Sequence, residues 1–267
     1  MKSHLHKPGR KVDLSRLDAG GTGRFKGGKK AALPETAALT ERLVSLQELL
    51  YAQSRHRILV VLQAMDTGGK DGVIRRVFSP LNPQGVRVTS FKVPTAAELS
   101  RDFLWRVHKV APGNGEIAVF NRSHYEDVLV VQVRNLAPPE VWSKRYDQIN
   151  DFERLLAESG TTILKFFLHI DLDEQKKRLQ ARLDNPAKHW KFRLGDLDDR
   201  KFWPEYMRAY EDVLEKTSTE YAPWYVIPAN RKWYRDLAVA RILAGTLEGL
   251  NMEYPKSGED LDGVVIE

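Results

Sequence analysis

Hydrophobic positions along the chain fall into two patterns: short unbroken apolar runs, and longer stretches in which apolar residues recur every three or four positions. The clearest run is Ile58-Leu59-Val60-Val61-Leu62. It is broken by Asp66-Thr67-Gly68-Gly69-Lys70-Asp71-Gly72, after which Val73, Ile74 and Val77 resume at helical spacing. This predicts a buried strand, a glycine-rich turn and the start of a helix. Further strands are predicted at 86–91, 117–120, 162–170 and 224–227. Between them lie helical patterns. Leu39, Leu43, Leu46 and Leu50 share a face over 35–51, and Pro94-Thr95 opens a helix carrying Leu99, Phe103, Trp105 and His108. Pro138-Pro139 opens another with Trp142, Ile149, Phe152 and Leu156. Over 171–183, Leu172, Leu179 and Leu183 form the expected apolar face. Tyr206, Tyr210, Val213 and Leu214 mark a further helix, and Leu237, Ala240, Leu243, Leu247 and Leu250 the closing one. Strands alternating with helices imply right-handed crossovers and a parallel sheet covered on both faces, an α/β fold.

The remaining segments set the organisation. Residues 1–32 are rich in Gly, Lys and Arg without sustained periodicity and read as a basic arm, 33–253 as one domain, and 254–267 as a polar tail. The stretch at about 184–203 changes character: Lys188, His189, Lys191, Arg193, Arg200 and Lys201 interleave with Trp190, Phe192 and Trp203. An insertion of this kind suits a lid that brings charge to phosphate and excludes water, and it also fits a charged helix pair anchored by aromatics. Composition narrows the partners. The net charge is +6, yet 42 basic residues face 36 acidic ones, which favours a local anion channel over a uniformly basic coat. With no cysteine, disulfides and thiolate metal sites are excluded. No run of about 18 apolar residues suggests a membrane span, and residues near the start lack the apolar centre of a secretion signal, so the expected location is the cytoplasm.

The candidate chemistry lies at predicted strand ends. Glycines let backbone N–H groups curl round an anion and a lysine adds a mobile charge, so 64–72 suits phosphate. The phosphate-loop pattern G-x-x-x-x-G-K-[ST] is met only in part: Ala64 stands at the first glycine and Asp71 at the metal-binding hydroxyl, while Gly69-Lys70 are in place. An ordinary strand-to-helix turn with a surface lysine also fits this stretch alone. Asp66 adds a carboxylate that would hold magnesium in place of the missing hydroxyl. The third strand ends in Asn121-Arg122-Ser123-His124-Tyr125-Glu126-Asp127, which an open parallel sheet sets beside the glycine loop. Arg75, Arg76 and Arg122 are candidates along a basic groove.

Taken with Trp190-Lys191-Phe192-Arg193 and the 218–224 segment Ser-Thr-Glu-Tyr-Ala-Pro-Trp, these motifs resemble polyphosphate kinase family 2 over most of the chain. The resemblance implies a P-loop kinase fold with a Walker A-type loop, a five-stranded parallel sheet in the order 2-3-1-4-5, flanking helices and a helical lid. It implies phosphoryl transfer between inorganic polyphosphate and AMP, ADP or ATP with magnesium, manganese being the alternative ion. Asn121 with Glu126 is similar to the class that phosphorylates both AMP and ADP. Carried onto this sequence, the catalytic residues are Asp66, Lys70, Arg122 and Glu126, with Asp66 and Glu126 at the metal. Phosphate and nucleotide binding falls to Gly68, Gly69, Lys70, Asp71, Asn121, Arg122, Arg178, Arg182, Lys191 and Arg193. A homo-oligomer, a tetramer by the resemblance, is expected, with neither nucleic acid nor membrane as partner. The competing readings are an ATP-dependent nucleoside or nucleotide kinase on the same fold and a non-catalytic polyanion binder.

Overall fold

A computed structural model describes residues 4–259, 262 and 264–266. The chain begins with the short strand β1 (Leu5–His6), a 3-10 turn at Leu14–Arg16 and the long helix α1 (Gly28–Gln53), which leads into β2 (Arg57–Gln63). After the glycine loop come α2 (Lys70–Val73), a π turn at Ile74–Phe78, β3 (Val86–Ser90), and the one-turn helices α3 (Ala96–Leu99) and α4 (Trp105–His108). Then follow β4 (Ile117–Asn121), α5 (Glu126–Val133), α6 (Pro139–Trp142), α7 (Arg145–Glu158) and β5 (Thr161–His169). The last part runs α8 (Leu172–Leu183), a 3-10 segment Pro186–Lys191, α9 (Leu194–Lys201), α10 (Trp203–Thr217), β6 (Trp224–Pro228) and α11 (Lys232–Glu248).

Among the described residues the sheet has six strands, in the order β1-β6-β5-β2-β4-β3. Strands β2 to β6 pair in parallel, while β1 pairs antiparallel with β6, Leu5 opposite Tyr225 and His6 opposite Trp224. The expected five-stranded, wholly parallel sheet with order 2-3-1-4-5 is therefore corrected to a mixed sheet of six: β2 to β6 keep that order among themselves, and the antiparallel β1 is added at the β6 edge. The added strand comes from residues assigned to the basic arm. Two residues are too few to show alternation, and their pairing depends on a distant partner: Val226 N–H donates to the His4 carbonyl (2.8 Å) and Ser218 Oγ to the His6 carbonyl (2.7 Å).

Both sheet faces are covered. On one, α1 and α11 pack over Ile58, Val60, Leu62, Leu164, Phe166 and Leu168 through Leu43, Leu46, Leu50, Val239 and Leu243. On the other, α5, α7 and α10 cover Leu59, Val61, Ile163 and Phe167 through Val128, Leu129, Ile149, Phe152, Val213 and Leu214. Burial on two faces explains why 58–62 of β2 reads as an unbroken apolar run and 163–168 of β5 as one interrupted only by Lys165.

Four helical expectations shift. Helix α1 starts at Gly28, not near 35, and carries Pro34 inside it. The helix expected after Pro94-Thr95 is two separate turns, the first closed by a capping box between Thr95 and Glu98. That expected after Pro138-Pro139 is divided between α6 and α7. On α8 the predicted face of Leu172, Leu179 and Leu183 is wrong: Leu172 and Leu183 are exposed, and Gln175, Arg178 and Leu179 are buried. This helix covers the glycine loop at the carboxyl edge of the sheet, where carbonyl oxygens need donors more than apolar cover.

Candidate active site

Strand β2 delivers the glycine loop to the carboxyl edge, next to the end of β4, because the two strands pair in register from Ile58–Ile117 to Leu62–Asn121. The loop reverses tightly. Gly68 N–H donates to the Met65 carbonyl (2.9 Å), and Thr67 and Gly69 have φ of +65° and +110°. Gly69 needs to be glycine twice over, since its φ is left-handed and a Cβ there would run into Arg235 Nη1. The N–H groups of Gly69 and Lys70 have no acceptor among the described residues, so they are free to face an anion.

Lys70 is buried and folds back to donate from Nζ to the Ala64 carbonyl (2.8 Å). Burial and the neighbouring Arg122 bring its pKa down to about 8, against the opposing pull of Asp66, Glu126 and Asp71. At the end of β4, Arg122 takes φ +62°, held by its N–H to the Leu62 carbonyl (3.1 Å). Its guanidinium bridges two carboxylates, Asp66 Oδ1 at 2.5 Å and Glu126 Oε2 at 3.2 Å, which hold its pKa above the usual arginine value despite burial. Asn121 Nδ2 donates to Asp71 Oδ1 (2.9 Å), and Lys191 Nζ lies 3.6 Å from Asp71 Oδ2. Burial works against the charge on Asp71, yet Asn121, Lys191 and Lys70 hold its pKa below the usual carboxylate range.

These groups line one open cavity of about 1010 Å³. Its wall includes Asp66, Gly68, Gly69, Lys70, Asp71, Asn121, Arg122, Arg178, Arg182, Lys191 and Arg193 from the sequence reading. Glu126 is not on the wall; it reaches the site through Arg122. Of the groove candidates Arg75 lines the cavity and Arg76 does not. Arg182 is partly engaged, donating to the Lys191 carbonyl (3.2 Å) and Asp196 (3.3 Å). Arg178 is wholly engaged: Nε donates to Glu174, Nη1 to the Thr67 and Gly68 carbonyls, Nη2 to those of Ala229 and Asn230. Thirteen Lys and Arg residues line the wall against three carboxylates, so the near balance of the whole chain gives way here to strong positive charge.

Sequence matching with known families gives the same direction as this geometry. The family model described as Polyphosphate kinase 2 matches residues 27–255. This chain belongs to the polyphosphate kinase 2 family. Among relatives of the family, the AMP/ADP-polyphosphate phosphotransferase of Meiothermus ruber is 60% identical over 267 residues, spanning the whole of both chains. The ADP-polyphosphate phosphotransferase of Rhodopseudomonas palustris is 50% identical over 229 residues, 81% of this chain and 79% of that one. In three dimensions the chain is similar to the crystal structure of Polyphosphate Kinase 2 from Arthrobacter aurescens TC1, with a TM-score of 0.91 and 48% identity over 94% of this chain and 90% of that one.

In this polyphosphate kinase 2 chain no cluster of three or more His, Asp or Glu suited to a metal stands among the described residues. Magnesium does not require one, since it commonly takes one or two carboxylates and completes its shell with water and substrate phosphates. Asp66 fits: Arg122 takes Oδ1, while Oδ2 has no hydrogen-bond partner among the described residues and Asp66 lines the cavity. Glu126 does not line the cavity and its Oε2 accepts from Arg122, so it would orient that arginine.

Two parts of the site escaped the sequence reading. Behind the loop, Arg235 and Asp236 at the start of α11 pair through Nε and Nη2 to Oδ1 (2.8 and 2.6 Å), with the guanidinium against Gly69 and Gly72. Arg235 and Asp236 are buried on a helix face that is otherwise apolar, and that break in the stripe was the available signal. Behind the second motif is a fully buried network. Lys165 Nζ donates to Glu153 Oε2 (2.5 Å), Tyr125 Oη (2.8 Å) and the Thr217 carbonyl (2.7 Å), and Glu153 Oε1 also meets His124 (3.3 Å). A lysine in the apolar run of β5 was its signal.

Proposed function

We propose that this chain transfers phosphoryl groups from inorganic polyphosphate to AMP and ADP, giving ADP and ATP, reversibly and with magnesium. The observation that carries the reading is the cationic cavity built round Asp66, Lys70 and Arg122, in a chain whose relatives bear the names of polyphosphate phosphotransferases. In the reaction a terminal phosphate oxygen of AMP or ADP attacks the end phosphorus of the chain. The P–O–P anhydride bond breaks, and the shortened polyphosphate leaves with the bridging oxygen.

The attacking oxygen is already anionic near neutral pH, so placement and charge neutralisation matter more than a general base. The loop N–H groups and Lys70 would bind the transferred phosphate, and Arg122, fixed between Asp66 and Glu126, would hold the same oxygens from the other side. Asp66 would hold magnesium, which supplies further neutralisation of the phosphate oxygens, and Glu126 would keep Arg122 in place beside it. Asn121 and Asp71 would tie the second motif to the loop. Residues 184–203 would act as a lid, with Lys191 and Arg193 over the phosphates and Arg182 anchoring the segment through Asp196. The cytoplasm is the proposed location; no helix among the described residues is long and apolar enough to cross a membrane. A homo-oligomer, with a tetramer as first choice, belongs to the same proposal.

The test is product analysis: purified protein with magnesium, AMP or ADP, and either long-chain polyphosphate or ATP as donor. Formation of ADP from AMP and of ATP from ADP with polyphosphate is expected. Phosphorylation of AMP by ATP alone, with polyphosphate inert, would overturn the reading.

A further inference from the structure

We propose that Arg178 is a positioning residue that sets the glycine loop from its carbonyl side, and that its other anchor, Asn230, is held by the N-terminal arm. A guanidinium has five N–H groups, and in Arg178 each has a protein acceptor: Glu174 Oε1 (2.7 Å), the carbonyls of Thr67 (2.9 Å) and Gly68 (3.2 Å), and those of Ala229 (2.6 Å) and Asn230 (3.1 Å). An arginine that binds phosphate needs a free N–H, and this one has none left over. In a trans peptide the carbonyl and the following N–H point opposite ways. Holding the Gly68 carbonyl therefore turns the Gly69 N–H away from Arg178, and that N–H has no acceptor among the described residues. A buried arginine binding the loop's carbonyls thus fixes the direction of the donor offered to phosphate.

The far end of the strut is tied in turn. Asn230 N–H donates to the Ala19 carbonyl (3.0 Å), and its side chain exchanges hydrogen bonds with Asp171, at 3.2 Å from the Asp171 N–H and 2.5 Å to Oδ2. A path of hydrogen bonds runs from residue 19 through Asn230 and Arg178 to the loop. The family match begins at residue 27, so the arm that closes this path lies outside the matched region.

The inference rests on the loop being the phosphate site, and the experiment separates the two. Steady-state kinetics of ADP formation from AMP and polyphosphate are measured for Arg178→Lys, Arg178→Ala, Asn230→Ala, the Arg178→Lys/Asn230→Ala double variant and Lys70→Ala. Lysine can replace arginine as a point charge toward phosphate but lacks the planar fork needed to hold four carbonyls. Arg178→Lys should therefore lose roughly a hundredfold in kcat, about as much as Arg178→Ala, a magnitude expected for a small displacement of reacting groups. KM for polyphosphate should stay within about threefold, because ground-state binding is little changed. If Arg178→Ala does not fold, Asn230→Ala carries the test: it keeps the backbone bonds of residue 230 to Arg178 and Ala19 but removes the side-chain bonds to Asp171 that hold this backbone in place, so it should lower kcat in the same way and add little to Arg178→Lys. Retained activity in Arg178→Lys, a rise in polyphosphate KM at unchanged kcat, or fully additive losses would overturn the proposal. An active Lys70→Ala variant would instead remove the loop assignment itself.

Discussion

Lys70 carries its charge in a place that resists charge. Buried beside Arg122, it has a pKa near 8, so it is an ammonium below that pH and loses its proton above it. Its help to an anionic donor should fade on the alkaline side. The kcat/KM for polyphosphate, which reports the free enzyme, should decline above about pH 8. The kcat profile should hold to higher pH, because bound phosphate favours the charged form. A flat kcat/KM to pH 9.5 would detach Lys70 from the reaction. Replacing Lys70 by Ala should lower kcat by at least about a hundredfold, the scale of removing one preorganised charge donor, with thermal unfolding checked in parallel to show an intact fold. For Asp66→Asn, magnesium titration should show a higher requirement or no turnover, and an unchanged titration curve would count against its metal role. Arg122 ties these residues to one another: it bridges Asp66 and Glu126 from a left-handed backbone held at the end of β4, and strained positions of this sort persist where the surroundings fix them.

At the level of elements, the second motif rests on a charge pair between β5 and α7. Lys165 and Glu153 are fully buried, and His124 and Tyr125 of the motif are bonded to Glu153 and Lys165. Burial works to raise the pKa of Glu153, but Lys165 and His124 outweigh it and hold the carboxylate charged. Removing one partner leaves the other buried and unpaired, so Lys165→Met should cost about 3–5 kcal/mol in denaturant unfolding. The Lys165→Met/Glu153→Leu double variant should recover much of that stability while lowering activity, since the motif loses its support. Equal stability of the single variant and the parent would show that the pair contributes little. This network also marks where sequence reading reached its limit. The strand-loop-helix at 58–77, the strand end at Asn121 and the cationic stretch near 190 were legible because each breaks a strong periodic pattern with polar residues. Lys165, Arg235 and the α8 face were not, because a buried charge shows in sequence only as an irregularity, and its partner lies on another element. β1 was illegible for a different reason: two residues become a strand only when β6 is beside them.

For the whole molecule the decisive contrast is between a mixed surface and a strongly positive cavity. A long polyanion should be steered toward such a cavity over distances set by ionic screening, whose length shrinks from about 10 Å at 0.1 M salt to roughly 3 Å at 1 M. Raising sodium chloride from 50 to 500 mM should thus lower kcat/KM for polyphosphate much more than for AMP, measured by varying each substrate against a saturating concentration of the other. Equal salt sensitivity would argue against an extended donor track. The fold carries the site at the carboxyl edge of its parallel strands, where the ends of β2, β4, β5 and β6 bring together residues far apart in the chain. The central claim is that polyphosphate is the donor and the glycine loop is where its phosphoryl group is transferred. The most direct measurement follows ³¹P signals of polyphosphate and AMP with magnesium, for the parent chain and Lys70→Ala side by side. Transfer from polyphosphate to AMP, giving ADP and then ATP, in the parent and its near-complete loss in Lys70→Ala is the predicted result; no transfer in the parent, or undiminished transfer in the variant, would contradict it.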